Sequence, residues 1–154
     1  MTALHIRELA SGDLDALLAL YAELNPNDAP LPPREAVLAS WQAMLDSPGL
    51  HCLGGFLGDE LVCSCVLAIL PNLTRACRPY GLIENVVTTA RHRRQGHART
   101  LLRHAQALAW QQGCYKLMLL TGRKDDATLR FYESAGFDRH TKQGFYVSAP
   151  AAAR

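Results

Sequence analysis

Residues 91–98 read Arg-His-Arg-Arg-Gln-Gly-His-Ala, and an amphipathic helical pattern follows them at once. A helix start carries partial positive charge and unpaired backbone N–H groups, so arginines are disfavoured there unless an anion is present. Gly96 allows a ligand to approach the backbone closely, and Ala98 keeps the first turn of the helix free of a bulky side chain. Because helix N-termini bind phosphate groups, this stretch predicts a site for a phosphorylated ligand.

The segments on either side of this stretch predict a strand before it and a helix after it. Residues 80–89 are rich in β-branched and apolar side chains and run directly into the basic residues. The predicted helix extends from about Gly96 to Gln112, and Gly113 is suited to end it in the left-handed conformation. Its apolar stripe predicts packing on a sheet and consists of Ala98, Leu101, Leu102, Ala105, Leu108 and Ala109.

The rest of the chain alternates between strand and helix patterns. Four prolines between residues 25 and 33 indicate an ordered loop or lid, or a stiff connector between two helices. Ser11 is a suitable N-cap for the first helix, and Asp125 or Asp126 for the last. The other predicted strands are residues 2–7, 51–57, 61–70, 116–120, 137–140 and 145–147, and the other helical patterns cover residues 14–24, 37–45 and 125–135.

The composition is that of one soluble globular domain. Apolar residues make up 49 % and charged residues 19 % of the 154 residues, and no run approaches the ~20 apolar residues that a membrane span needs. We expect a single domain over residues 1–148 and a flexible tail over residues 149–154. The N-terminus lacks the apolar core of a secretory signal, which predicts a cytoplasmic protein. The net charge of +2 is too small to favour nucleic-acid binding.

The cysteines and histidines indicate neither a disulfide framework nor a metal cofactor. Five cysteines are an odd number, and they lack the paired Cys-x-x-Cys spacing of a zinc site. Cys63 and Cys65 lie two apart in an apolar run, where cysteine acts as a small apolar residue. His97 and His104 share one helix face but have no third ligand. We expect reduced thiols and no metal.

Two segments together resemble the GNAT N-acetyltransferases. Residues 93–98 match that family's Arg/Gln-x-x-Gly-x-Gly/Ala pyrophosphate loop, with Ala98 in the last position. Residues 125–137 resemble its Asn-x-x-Ala-x-x-Phe-Tyr-x-x-x-Gly-Phe segment, with Asp125 in place of the Asn. The order of the motifs and elements fits as well, so the resemblance covers nearly the whole chain. It implies an α+β fold in which about four helices flank a twisted mixed sheet of about seven strands.

The resemblance also implies where acetyl-CoA binds as cosubstrate. The ligand would lie in a cleft where two adjacent parallel strands splay apart, with its pyrophosphate on the backbone amides of residues 94–99. Arg91, Arg93 and Arg99 would add positive charge, and the pantetheine arm would pair with the strand near residue 87. The cofactor-binding positions implied in this way are Val86, Val87, Thr88, Arg93, Arg94, Gln95, Gly96, His97, Ala98, Arg99, Asp125 and Tyr132.

Direct transfer to an amine in a ternary complex needs a base, an oxyanion donor and an acid. Glu84 is the candidate base, because burial of a lone acid in an apolar strand would raise its pKa; an ordered water, or a structural role beside an arginine, are the alternatives. The backbone N–H of Val87 is the expected oxyanion donor. The family pattern implies that Tyr132 protonates the leaving thiolate, whereas a core aromatic beside Phe131 is the other interpretation.

The acceptor is defined less closely. Residues 113–116, together with Ile83 and Glu84, show some local similarity to the glucosamine-phosphate N-acetyltransferase branch, although Asn85 stands where that branch has Asp. Arg75 and Arg78 could bind an acceptor phosphate or carboxylate, or be exposed loop cations. We expect a primary amine of a small molecule. A protein or peptide amine, or a catalytically silent acyl-CoA sensor module, are the alternatives, and the resemblance also allows a homodimer through the last strands.

Overall fold

A five-stranded mixed sheet forms the centre of the computed structural model, which describes residues 3–151. Its strands lie in chain order, and every neighbouring pair is antiparallel except the last, β4 and β5, which are parallel. The longest of them, β3, is rich in Val, Leu, Ile and Cys and is buried along most of its length because helices cover both of its faces. The strands are β1 (His5–Glu8), β2 (Leu50–Leu57), β3 (Glu60–Leu70), β4 (Tyr80–Thr88) and β5 (Leu117–Leu119).

Helices cover the two faces of this sheet. The apolar sides of the first two pack on one face, where Leu17, Leu20 and Trp41 are almost fully buried. The long fourth helix packs on the opposite face through Leu101 and Leu102, as its apolar stripe predicts. The helices are α1 (Leu14–Leu24), α2 (Arg34–Asp46), α3 (Thr74–Cys77), α4 (His97–Gln111) and α5 (Asp126–Ser134), with 3₁₀ turns at Ser11–Asp13 and Ala90–His92.

The prediction of two strands near the C-terminus is wrong. Residues 137–140 and 145–147 form neither helix nor strand, so the sheet has five strands rather than about seven. A β-branched or aromatic run becomes a strand only when a partner pairs with it, and no strand within residues 3–151 pairs with either segment. Phe145, Tyr146 and Val147 are therefore 84–91 % exposed.

Smaller differences concern loops and chain ends. Ser11 does not cap α1, because the chain first makes a 3₁₀ turn in which Asp13 accepts a hydrogen bond from the Ala10 N–H at 2.7 Å. The four residues labelled α3 form a single turn in a segment expected to be a loop, and three of them, Arg75, Ala76 and Cys77, have left-handed φ values of +57° to +59°. Thr2 and residues 152–154 lie outside the described residues. The division into one domain of residues 1–148 and a tail stays a prediction.

The gap at one end of the sheet positions the functional site. Pairing between β4 and β5 ends at Ile83 and Leu119, whereas β4 continues to Thr88. Beyond β5 the chain turns away at Thr121 and enters α5, so the far end of β4 has a free edge. Within residues 3–151 no helix is long and apolar enough to cross a membrane.

Candidate active site

A cleft of about 970 Å³ opens at this free edge, between β4 and α5. The start of α4 forms one end of the cleft, and the end of α1 also reaches it. Most of the predicted ligand-binding residues meet there, although Gln95 and Glu84 do not line the cleft. The predicted residues that line it are Val86, Val87, Thr88, Arg93, Arg94, Gly96, His97, Ala98, Arg99, Asp125 and Tyr132.

A β-bulge in β4 determines which backbone groups face the cleft. Glu84 lies opposite Val66 and Val87 opposite Ser64, so one residue of β3 opposes two of β4, and Asn85 at the bulge has a φ of +53°. The Thr89 N–H donates to the Val62 carbonyl on β3 at 2.9 Å.

Because backbone direction alternates along a strand, the Val87 N–H also faces β3, whereas the N–H groups of Val86 and Thr88 face the free edge. The prediction that the Val87 N–H is the oxyanion donor is therefore wrong, since the bulge shifts the alternation of N–H directions along β4 by one residue. Val86 and Thr88 are the residues whose N–H groups can meet a ligand.

The loop between β4 and α4 forms a concave backbone surface. Arg94 and Gly96 both have a left-handed backbone, with φ values of +61° and +85°, and left-handed residues close together turn successive N–H groups toward one point. Gly96 is the N-cap of α4, and no side chain caps this end of the helix. The first N–H groups of α4 are therefore open toward the cleft, as a phosphate site requires.

The arginines of this loop have different surroundings. Within residues 3–151, Arg94 and Arg99 pair with no carboxylate. Arg93 donates through Nε to the Thr88 carbonyl at 3.0 Å, so that carbonyl is already bonded. Arg91 pairs with Glu60 at 2.5 Å and does not line the cleft. The positive charge open to an anion comes from Arg94 and Arg99.

Asp125 is the N-cap of α5, one of the two positions predicted for this role. Its carboxylate caps α5 by accepting from the Thr128 N–H at 3.0 Å, and it also accepts from the Nε of Arg123 at 3.0 Å. These bonds lower the pKa of Asp125 to about 2, with the Thr128 N–H as the largest cause. Asp125 lines the cleft, but its oxygens already hold the helix and the preceding loop.

Tyr132 places a phenol at the wall of the cleft. Its ring packs 4.9 Å from that of Phe131 and 6.3 Å from that of Phe137, between centroids. Burial is the main cause that raises the pKa of Tyr132, and the nearby Cys65 and Glu84 raise it further. The hydroxyl has no hydrogen-bond partner within residues 3–151. Tyr132 therefore presents a protonated, unbonded hydroxyl at neutral pH.

Several predicted residues lie away from the cleft. Glu84 is exposed, so its expected burial is wrong; the strand has only one covered face at this position. Arg78 donates to the carbonyls of Gly113 and Cys114, both at 3.3 Å, and Arg75 stacks 5.7 Å from the Tyr115 ring. Both arginines belong to the region before β4 and are absent from the cleft lining. No group of three or more potential metal ligands occurs within residues 3–151.

Glu23 is a charged residue of the cleft lining that the sequence analysis did not identify. Glu23, in the last turn of α1, accepts hydrogen bonds from the Thr89 hydroxyl and from the Ala90 N–H, both at 2.7 Å. These bonds lower the pKa of Glu23, the one from the Ala90 N–H most strongly. A signal was present, because an acidic residue is unfavourable at a helix C-terminus and so requires a donor from elsewhere.

Comparisons with known proteins identify the family of this chain. The chain matches the acetyltransferase (GNAT) family over residues 14–137. It is 30 % identical over 137 residues to an aminoglycoside N(6')-acetyltransferase type 1 of Serratia marcescens, covering 87 % of this chain and 91 % of that protein. It is 36 % identical over 84 residues to a glucosamine 6-phosphate N-acetyltransferase of Trypanosoma brucei brucei, a match that covers 54 % of this chain and only 55 % of that relative.

Solved structures show the same relationship. A candidate acetyltransferase from Agrobacterium tumefaciens superimposes with a TM-score of 0.89 at 47 % identity, over 94 % of this chain and 99 % of that one. An aminoglycoside N-acetyltransferase solved in complex with CoA shares the fold, with a TM-score of 0.77 at 19 % identity and 96 % coverage of each chain.

This chain belongs to the GNAT acetyltransferase family, whose members use acetyl-CoA. The family, the α+β fold and the acetyltransferase class predicted from the two motifs are thereby confirmed.

Proposed function

We propose that this chain is an acetyl-CoA-dependent N-acetyltransferase that moves an acetyl group to a primary amine of a small molecule by direct attack in a ternary complex. The observation that carries the proposal is the cleft itself. It joins the uncapped start of α4, the free edge of β4 and the Tyr132 hydroxyl within one continuous space. These supply an anion cradle, a strand edge for an extended arm and an acid, the three features that a CoA thioester would need.

The residues present fit acetyl-CoA. The open N–H groups at the start of α4, with Arg94 and Arg99, would hold the diphosphate. The free edge of β4 would pair with the amide groups of the pantetheine arm, as an added strand does. Because the Thr88 carbonyl is already bonded to Arg93, the Thr88 N–H is the group left for that pairing.

The reaction follows from groups in the cleft and from Glu84, which lies on β4 outside the cleft lining but close enough to Tyr132 to raise the pKa of that phenol. Glu84, directly or through a water that it orients, accepts a proton from the attacking amine as the C–N bond forms. The Val86 N–H, which faces the free edge, stabilises the oxyanion. When the C–S bond breaks, Tyr132 donates its proton to the leaving thiolate. Its raised pKa keeps it protonated until that step.

An amino sugar is the most specific acceptor that the relatives support. Both curated relatives are named for amine acetylation on a sugar, one a sugar phosphate and the other an aminoglycoside. Arg75 and Arg78 bind carbonyl groups or an aromatic ring instead of facing the cleft. They therefore do not favour a phosphorylated acceptor over an unphosphorylated one.

Thiol release from acetyl-CoA tests the function. Purified protein is assayed against glucosamine 6-phosphate, aminoglycosides, polyamines, amino acids and short peptides, beside a calorimetric titration with CoA. We expect CoA binding and turnover with at least one small amine. Turnover with peptides alone would mean that the acceptor is a peptide amine and not a small molecule. CoA binding without turnover on any amine would favour a sensor module. Absence of CoA binding would overturn the proposal.

Substitution of Glu84 by glutamine is expected to slow acetyl transfer by about 100-fold, the lower end of the range for a general base. The loss should be largest at low pH, because more of the amine is protonated there and depends on a base. Initial rates between pH 6 and pH 9 measure this, with Glu35→Gln on the exposed start of α2 as the matched control. A rate that falls equally at every pH, or not at all, would give Glu84 a structural role.

We also propose a homodimer, formed through the C-terminal segment. Phe145, Tyr146 and Val147 are consecutive, apolar and at least 84 % exposed, and β5 is the edge strand of the sheet. Soluble monomers rarely expose such a patch. Sedimentation equilibrium should show a dimer for the wild type and a monomer after replacement of all three by serine, with Leu73→Ser, at another exposed leucine, as the control. A monomeric wild type would contradict the proposal.

A further inference from the structure

A single carboxylate connects α1 to the segment that leads into the phosphate cradle. We use this name for the loop of residues 93–96 together with the first N–H groups of α4. The Oε1 atom of Glu23 accepts from the Thr89 hydroxyl, and Oε2 accepts from the Ala90 N–H, both at 2.7 Å. The same carboxylate lies 3.8 Å from the Nη2 of Arg93. Three consecutive parts of one segment are thereby held by one side chain: the residue after β4, the 3₁₀ turn and the first arginine of the cradle.

The location of this carboxylate is unfavourable by itself. An acid in the last turn of a helix faces the negative end of the helix dipole, and Glu23 also lines a cleft proposed to receive a diphosphate. Two short hydrogen bonds and a nearby guanidinium compensate for both effects, and they lower the pKa of Glu23 so that it stays ionised. The unfavourable electrostatic energy of the Glu23 carboxylate is compensated only while the segment after β4 keeps its present conformation.

The held segment determines the geometry of the cradle. Ala90 begins the 3₁₀ turn Ala90–His92, and its N–H would lack a partner without Glu23. At the end of this turn, Arg93 donates to the Thr88 carbonyl. The left-handed residues Arg94 and Gly96 come next in the chain. A shift of the turn would therefore move the open N–H groups of α4 relative to the free edge of β4.

We propose that Glu23 is a positioning residue for the diphosphate half of CoA. It holds the loop after β4 in the conformation that presents the start of α4 to the ligand, and it makes no contact with the pantetheine half, which pairs with β4 itself. This inference rests on the proposed function, since it assumes that CoA occupies the cleft. It predicts that loss of Glu23 weakens recognition of one half of the ligand and leaves the other half unchanged.

Fragment binding separates this role from a general structural one. Glu23→Ala and Glu23→Gln are titrated with CoA, with adenosine 3′-phosphate 5′-diphosphate and with S-acetylpantetheine, which lacks the diphosphate. We expect Glu23→Ala to bind CoA and the nucleotide fragment about 10-fold more weakly, the loss of roughly one charged hydrogen bond. S-acetylpantetheine should bind as it does to the wild type. Glu23→Gln, which retains one acceptor oxygen, should lose less.

The controls make each outcome decisive. Asp15→Asn removes another arginine-paired carboxylate from the same helix, far from the loop, and should bind all three ligands as the wild type does. If the wild type itself fails to bind CoA, the proposed function fails. The positioning role is overturned if the wild type binds CoA and both Glu23 variants bind it with the same affinity. It is also overturned if the variants lose affinity equally for the nucleotide fragment and for S-acetylpantetheine. Thermal unfolding identifies a misfolded Glu23→Ala protein, and Glu23→Gln then decides.

Discussion

Substitution of Gly96 by glutamate is expected to weaken CoA binding by at least about 100-fold, which corresponds to about 2.7 kcal/mol. Gly96 has a φ of +85°, and a residue with a Cβ in the left-handed region costs about 1–2 kcal/mol. A carboxylate ~6 Å from a phosphate adds about 3 kcal/mol of repulsion at an effective dielectric constant of 20. Calorimetric titration with CoA measures the combined effect.

Gly96→Ala separates the two contributions. A Cβ at this position has free space, because its nearest neighbour is the Nη2 of Arg99 at 3.9 Å. Alanine therefore introduces the backbone strain without a clash or a charge, and its loss of affinity should be about 10-fold. Circular dichroism should show that both variants are folded. Unchanged CoA affinity in the folded glutamate variant would mean that the phosphate site lies elsewhere.

Substitution of Tyr132 by phenylalanine is expected to lower kcat by about 100-fold while CoA affinity stays the same. The phenyl ring can keep its packing against Phe131 and Phe137, and the lost hydroxyl has no partner within residues 3–151. The free energy of unfolding should therefore change little, whereas loss of a general acid lowers the rate by about 10²-fold or more. Steady-state kinetics beside a CoA titration separate the two quantities.

The pH profile provides a second test of Tyr132. An acid must be protonated to donate, and the pKa of Tyr132 is raised above the ordinary value of about 10. The wild-type rate should therefore show no loss from this group below about pH 10. Tyr80→Phe, at the start of β4 and outside the cleft lining, is the matched control. If Tyr132→Phe retains full turnover, Tyr132 is a packing residue only.

Local patterns were sufficient to predict the elements around the cradle. The apolar stripe of α4 repeats with the helical period, and the N-cap role of Asp125 depends on residues only three positions apart. The glycine turn before α4 was predicted because its glycine and arginines are adjacent in the chain. Each of these features is determined by neighbouring residues, so the sequence pattern contains the necessary information.

Features that depend on distant partners were not predictable. Residues 145–147 have strand propensity, but a strand needs a neighbour, and the described part of the chain pairs none with them. The direction of the Val86 and Val87 N–H groups depends on the bulge at Asn85, which is defined only by pairing with β3. Glu23 acquires its role from groups more than sixty positions later in the chain. In all three cases the decisive partner is remote in sequence.

The bulge in β4 also affects how this strand can change during evolution. In the proposed binding mode, ligand contacts at the free edge come from backbone groups, so the side chain at Val86 can change among residues that fit the adjacent core. The number of residues between Ile83 and Thr89 cannot change in the same way. One insertion or deletion would reverse the alternation and turn the cleft-facing N–H groups toward β3. Relatives of this chain should therefore vary in the composition of β4 but conserve its length.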